Sequence, residues 1–163
     1  MPSPSVLERS VEIEVPAADL YAFHLDPRNA ALIAPAGTRV TSVEAPVPLA
    51  AGAMVTMRMR RRPWPLSLAW RVRVETVEPG RRIVDVAERS PFALWRHEHL
   101  FRELGPDRSL LTDRVTYRLP GGRAGRLAER LLVRRLLETT FAERQRRTRE
   151  VLEGRAARPT AGA

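Results

Sequence analysis

The sequence contains no cysteine, which excludes disulfides, thiolate metal sites and a cysteine nucleophile. That fits a reducing compartment, and a cytoplasmic location is the expectation. Lysine is missing too, so all 28 basic residues are arginine. No apolar run approaches the roughly 20 residues that span a bilayer, and Met1-Pro2-Ser3-Pro4-Ser5 lacks the basic-then-apolar pattern of an export signal. Internal repeats and a second compositional region are also lacking.

What is present reads as globular. Apolar residues make up 44% and charged residues 29% of 163 positions. A chain of this length buries roughly two-thirds of its unfolded surface around one core. The expectation is a single domain over 1–163, with a core over about 6–153 and a frayed tail at 155–163. The net charge is +9 and the isoelectric point near 11.4. This arginine bias has two readings: the codon composition of a guanine- and cytosine-rich genome, or a basic surface for nucleic acid or anionic lipid.

Period-two alternation marks the strands. Val11, Ile13 and Val15 alternate with Glu12 and Glu14. Pro16 ends that strand, and Leu20, Tyr21 and Phe23 suit a short amphipathic helix over 17–24. A second short helix begins at Asp26, a capping residue, with Pro27 in the first-turn position that tolerates a missing N–H. Strands are predicted over 38–44, 53–60, 66–77, 81–88, 93–104 and 109–119. Glu78-Pro79-Gly80-Arg81 carries the proline and glycine of a type II turn, and Gly105-Pro106-Asp107-Arg108 joins the last pair. Connections this short make the sheet antiparallel. After Pro120-Gly121-Gly122 a helix of roughly 30 residues runs to Gly154. Leu127, Leu131, Leu132, Val133, Leu136, Leu137, Phe141 and Leu152 form an apolar face predicted to lie on the sheet.

The fold class is therefore α+β: a bent antiparallel sheet of about seven strands around a long C-terminal helix, with two short helices after the first strand, the helix-grip order. The chain resembles the SRPBCC (START-like) superfamily, specifically its polyketide cyclase/dehydrase and lipid-transport-like branch. The resemblance lies in Val15-Pro16-Ala17-Ala18-Asp19-Leu20-Tyr21-Ala22-Phe23, in Asp26-Pro27-Arg28-Asn29, and in Trp95-Arg96-His97-Glu98-His99-Leu100-Phe101 followed by Leu111-Thr112-Asp113-Arg114-Val115-Thr116-Tyr117. It implies an internal cavity for a hydrophobic molecule. It does not fix a reaction, because the superfamily contains cyclases, aromatases, lipid- and quinone-binding proteins and receptors.

Alternation sends Trp95, His97, His99 and Phe101 to one face, the expected cavity side, and Arg96, Glu98 and Arg102 to solvent. Asp113 and Tyr117 share a face of the next strand. On the strand before, either Ile83, Asp85 and Ala87 or Val84 and Val86 point inward. A buried aspartate needs a hydrogen-bonded partner, which histidine supplies. His97, His99 and Asp113 are thus the candidate catalytic residues, with Tyr117 offering a hydrogen bond to a ligand carbonyl. The same groups serve equally as the polar end of a binding cavity. Met57 and Met59, Trp70, and Phe141 are candidate wall residues, and core packing alone also explains them. His97 and His99 with Asp113 are a nitrogen and oxygen donor set, but the spacing is not specific for metal, and no metal or cofactor is expected. His24 reads as a surface or capping residue, Trp64 as a loop residue, and Arg144, Arg146, Arg147 and Arg149 as the solvated face of the last helix.

The leading expectation is binding or transport of a small hydrophobic or aromatic molecule, such as a lipid, quinone or polyketide. A His–Asp cyclase, aromatase or dehydratase is the first alternative. Basic-surface binding to nucleic acid or to an anionic membrane is the second. Inward-facing aromatics argue against nucleic acid, whereas a basic amphipathic helix suits a transient contact with an anionic membrane. Nothing in the sequence sets the oligomeric state.

Overall fold

The computed structural model describes residues 3–63 and 67–157. Seven strands, β1 (Ser5–Ile13), β2 (Thr38–Glu44), β3 (Met54–Arg61), β4 (Ser67–Glu78), β5 (Arg82–Arg89), β6 (Leu94–Gly105) and β7 (Arg108–Arg118), form one sheet. Its order is β1-β7-β6-β5-β4-β3-β2 and every neighbouring pair is antiparallel. Helix α1 (Ala17–Leu25) and a 3-10 turn (Pro27–Ala31) follow β1. The C-terminal helix comprises α2 (Gly122–Ala128), a π turn (Glu129–Val133) and α3 (Arg134–Ala156). This is the helix-grip arrangement.

Local chemistry sets the joints. Arg81 N–H donates to the Glu78 carbonyl at 3.0 Å, and Gly80 sits at φ +68°, a value a side chain would resist. Asp26 caps the 3-10 turn by accepting from the Arg28 N–H at 3.0 Å. At the entry to α2, Gly121 has φ +89°. A Cβ at Gly125 would lie 2.1 Å from the Pro120 carbonyl oxygen, so only glycine lets the chain fold back there.

The inward stripe of α3 is Leu137, Phe141, Gln145, Thr148 and Leu152, at helical spacing but not uniformly apolar. Leu137 and Phe141 join Leu7, Trp95, Val115 and Tyr117 in one cluster. Leu152 joins Ile13, Leu20, Phe23, Val74 and Phe101 in another. Burying each of these large side chains contributes about 1.5–3 kcal/mol. Gln145 and Thr148 fall between the two clusters, and a polar layer of the sheet meets them.

Four expectations need correction. β1 begins at Ser5 rather than Val11, because it pairs with β7 along its whole length even where Glu8, Arg9 and Ser10 make it polar. The helix continues through Ala156, so residues 155 and 156 are not frayed; residues 158–163 lie outside the described residues, as does Trp64. Glu98 is not solvated: it is 8% exposed on the outer face, paired with Arg96 and Arg82. Finally, Leu127, Leu131, Leu132 and Leu136 do not lie on the sheet; they are 60%, 66%, 70% and 45% exposed. This stretch crosses the mouth of a cavity, which Val133, Leu136 and Leu137 help to line.

Candidate functional site

Between the concave sheet and the helices lies a cavity of about 620 Å³, within the range of small-molecule sites. Val55, Met57 and Met59 of β3, Trp70, Val72 and Val74 of β4, and Ile83 of β5 form one wall. Phe92, Trp95 and Phe141 form another, and Phe23, Ile33 and Leu49 the far side. The aromatic rings interlock: Trp70 and Trp95 meet edge to face with centroids 4.9 Å apart, and Phe92 lies 4.7 Å from Trp95.

The polar end follows from strand register. Asp85 pairs directly with His97 across β5 and β6, and His99 with Asp113 across β6 and β7, so all four side chains share the concave face. Both bulged pairings of β4 with β5 lie beside this point, between Arg71 and Val72 and between Val74 and Thr76. The unshifted pairing of Ile83 with His99 and of Asp85 with His97 puts Ile83 and Asp85, rather than Val84 and Val86, on the cavity side.

Asp113 anchors the group from behind. His97 Nε2–H donates to its Oδ1 at 2.8 Å, and Gln145 Nε2–H donates to its Oδ2 at 2.7 Å while also reaching the Arg9 carbonyl at 2.8 Å. His99 Nδ1 lies 3.1 Å from the same Oδ1 but off the line of a hydrogen bond, so that contact is an ion pair. The other ring nitrogens, His97 Nδ1 and His99 Nε2, stand 3.9 and 3.7 Å from Asp85 Oδ2. These exceed hydrogen-bonding distance and leave a polar space on the cavity side. The two imidazole centroids are 3.9 Å apart.

These surroundings push the titrations in opposite directions. For His99, burial disfavours the charge, but Asp113 and Asp85 together outweigh it and lift the pKa to about 9. For His97, burial and the neighbouring His99 charge prevail over Asp113, and the pKa falls. Burial pulls the Asp113 carboxyl up, yet the two histidines hold it well below the usual carboxylate range. A charged and a neutral imidazole thus stand side by side.

A third histidine belongs to the site. His24 lines the cavity, its ring 5.1 Å from that of His99. Nδ1–H donates to the Leu20 carbonyl at 2.9 Å, which leaves Nε2 as the free acceptor. Burial, then the charge of His99, lowers its pKa to about 3. The surface reading of His24 was mistaken because curvature of the sheet brings α1 over β6. Arg144 also lines the cavity instead of belonging wholly to the solvated face, with its guanidinium 5.5 Å from the Phe141 ring centre.

Trp95, His97, His99, Asp85, Met57, Met59, Trp70 and Phe141 all line the cavity. Three candidates do not. Asp113 is 5% exposed behind the histidines. Phe101 packs against Tyr21 at 5.5 Å and His24 at 5.1 Å within the core. Tyr117 turns towards the helix, where its hydroxyl donates to Glu129 Oε1 at 2.8 Å; burial first and Glu129 next raise its pKa. Gln145 escaped the sequence reading, although a glutamine in register with Leu137, Phe141 and Leu152 was a signal. Among the described residues the donor set that can hold a divalent cation is Asp85, His97 and His99, with three ligand atoms within 4.8 Å of one another, rather than the two histidines with Asp113, which instead orients His97 from behind.

Residues 13–142 match the profile of a family described as polyketide cyclase/dehydrase and lipid transport. Solved structures share the fold at low identity. The Zhui aromatase/cyclase from Streptomyces sp. R1128 superposes with a TM-score of 0.74 at 19% identity, covering 98% of this chain and 99% of that one. The di-domain aromatase/cyclase StfQ of the steffimycin pathway gives 0.76 at 15%, covering 96% of this chain and 53% of that one. Norcoclaurine synthase from Thalictrum flavum gives 0.67 at 11%, covering 92% and 87%. No curated protein matches the sequence.

Proposed function

The chain belongs to the polyketide cyclase/dehydrase and lipid transport family, and from that premise we propose that it binds a small hydrophobic or aromatic molecule whose one polar end sits among His97, His99 and Asp85. The observation carrying this reading is the cavity's composition: methionine, aliphatic and aromatic walls surround the polar cluster of Asp85, His97 and His99. Such a site takes its affinity from apolar burial and its orientation from a few fixed polar groups. Met57 and Met59 adapt to the shape of the occupant. The aromatics Trp70, Phe92, Trp95 and Phe141 face this cavity, which leaves them unable to stack on an external nucleic acid.

A second reading is proton-transfer catalysis, favoured by the two histidines being held in opposite charge states. Neutral His97, with Nε2–H committed to Asp113, has Nδ1 available to take a proton from carbon beside a ligand carbonyl. Charged His99 can return one to a departing hydroxyl, which leaves as water. Separated pKa values in one cavity are how acid and base roles are divided at neutral pH. The similarity in fold to aromatase/cyclases supports this reading as a class, and no substrate follows from it.

The test is a fluorescence titration with polyketides, quinones and fatty acids, read through Trp70 and Trp95. Saturable quenching that weakens in His97→Gln or His99→Gln is expected. Signals unchanged by every compound would sink the binding reading. Turnover of a bound polyketide, abolished in His97→Gln while binding persists, would establish the second.

A further inference from the structure

The helical segment that crosses the cavity mouth is amphipathic in an unusual sense: its apolar side faces outward. Leu127, Leu131, Leu132 and Leu136 are 60%, 66%, 70% and 45% exposed, a concentration on one segment that a solvated surface does not favour. Residues 122–137 contain five arginines (123, 126, 130, 134 and 135) against one acidic residue, Glu129, a net charge of +4. Glu129 is buried and accepts from the Tyr117 hydroxyl, so it does not offset the arginines at the surface. Among the described residues, the one acidic partner of these arginines is Glu138, just beyond the segment, which pairs with Arg134 at 3.2 Å. Leu136 both reaches solvent and lines the cavity, as does Leu68 at 42% exposure on β4. The patch is thus continuous with the cavity mouth.

We propose that residues 122–136 dock the protein on an anionic membrane surface, with the leucines entering the headgroup boundary and the arginines on lipid phosphates. Charge decides the occupant. A second copy would set +4 against +4, which opposes self-association. A helical protein partner is held by a groove, whereas here the leucines project from a convex helix face, the shape that suits a fluid planar surface. Arginine stems lie along apolar surface while their heads stay among phosphates. Docked this way, the cavity mouth faces the lipid and a hydrophobic ligand can cross without entering water. The docking stands independently of the ligand-binding reading; only this transfer rests on it.

The experiment is flotation of the full chain with vesicles of phosphatidylcholine alone and of an equal mixture with phosphatidylglycerol. Association with the mixed vesicles alone, weakened by salt, is expected. R126Q/R130Q should lose about fivefold per arginine. L131D/L132D should lose at least about tenfold, since the leucines supply the apolar part of the binding. All four side chains are exposed, so both variants keep the thermal midpoint of the parent. Equal flotation of L131D/L132D and parent would reduce the effect to overall basicity and overturn the proposal. So would retention on polyglutamate without flotation, which assigns the patch to an acidic protein, or a concentration-dependent dimer lost in L131D/L132D without flotation. A protein that floats but takes up no ligand refutes the cavity reading and leaves the docking intact.

Discussion

Stability should fall as pH rises through the alkaline range, and His99 should be the cause. Its pKa is near 6.5 when unfolded and about 9 when folded. A group raised in the folded state contributes stability that is fully present below the unfolded value and is lost as pH climbs through the folded one. At 1.36 kcal/mol per unit, the loss between about pH 6.5 and 9.5 is on the order of 3 kcal/mol, or roughly 6–12 °C in thermal midpoint for a domain of this size. The window is clean above about pH 7.5: His24 and His97, lowered in the folded state, are neutral in both states there, whereas nearer pH 6.5 their protonation in the unfolded chain opposes the His99 slope, and Asp113 is ionised in both states throughout. The assay is urea unfolding at pH steps across that range for the parent and for His99→Gln. Histidine NMR provides a second readout, simple to assign with three histidines in the chain. A flat profile in the parent, or the same slope in His99→Gln, would refute the assigned electrostatics.

Three further outcomes follow from the geometry. Asp113→Asn should cost about 3–5 kcal/mol in urea unfolding, because it removes the buried partner of two histidines and turns an amide N–H₂ against either His97 or Gln145. Tyr117→Phe should cost about 1–3 kcal/mol by leaving the buried Glu129 carboxylate without its donor, and Tyr117→Phe with Glu129→Leu should recover part of that in the same assay. Gly125→Ala should cost about 1–3 kcal/mol, its methyl meeting the Pro120 carbonyl, while Gly154→Ala, where nothing lies within 4 Å, should not destabilise.

Much of the fold was legible because its signals are local. Period-two alternation marked β6 and β7 to within a residue at each end, and Pro79-Gly80 and Pro106-Asp107 identified the β4–β5 and β6–β7 turns from backbone preference alone. The inward face of β6 followed from the same alternation. What was not legible depends on curvature and on where an element meets its neighbours. No periodicity of α1 shows that His24 faces β6, since the contact forms only when the sheet bends. The outward leucines of 127–136 have the pattern of a buried face and are exposed because the helix there spans the cavity mouth. Tyr117 and Phe101 lie on the predicted face of their strands yet miss the cavity, one captured by Glu129 and the other by the α1 core. Gln145 was legible in principle, as a polar residue in an apolar stripe, but its role emerges only with Asp113 opposite.

The most direct test of the central claim is native mass spectrometry of protein purified gently from its own host, with organic extraction of whatever is bound. The account predicts one hydrophobic or aromatic molecule per chain, retained by the parent and lost when His97 or His99 is replaced. A protein that emerges empty, and that a panel of lipids, quinones and polyketides fails to stabilise, would contradict it.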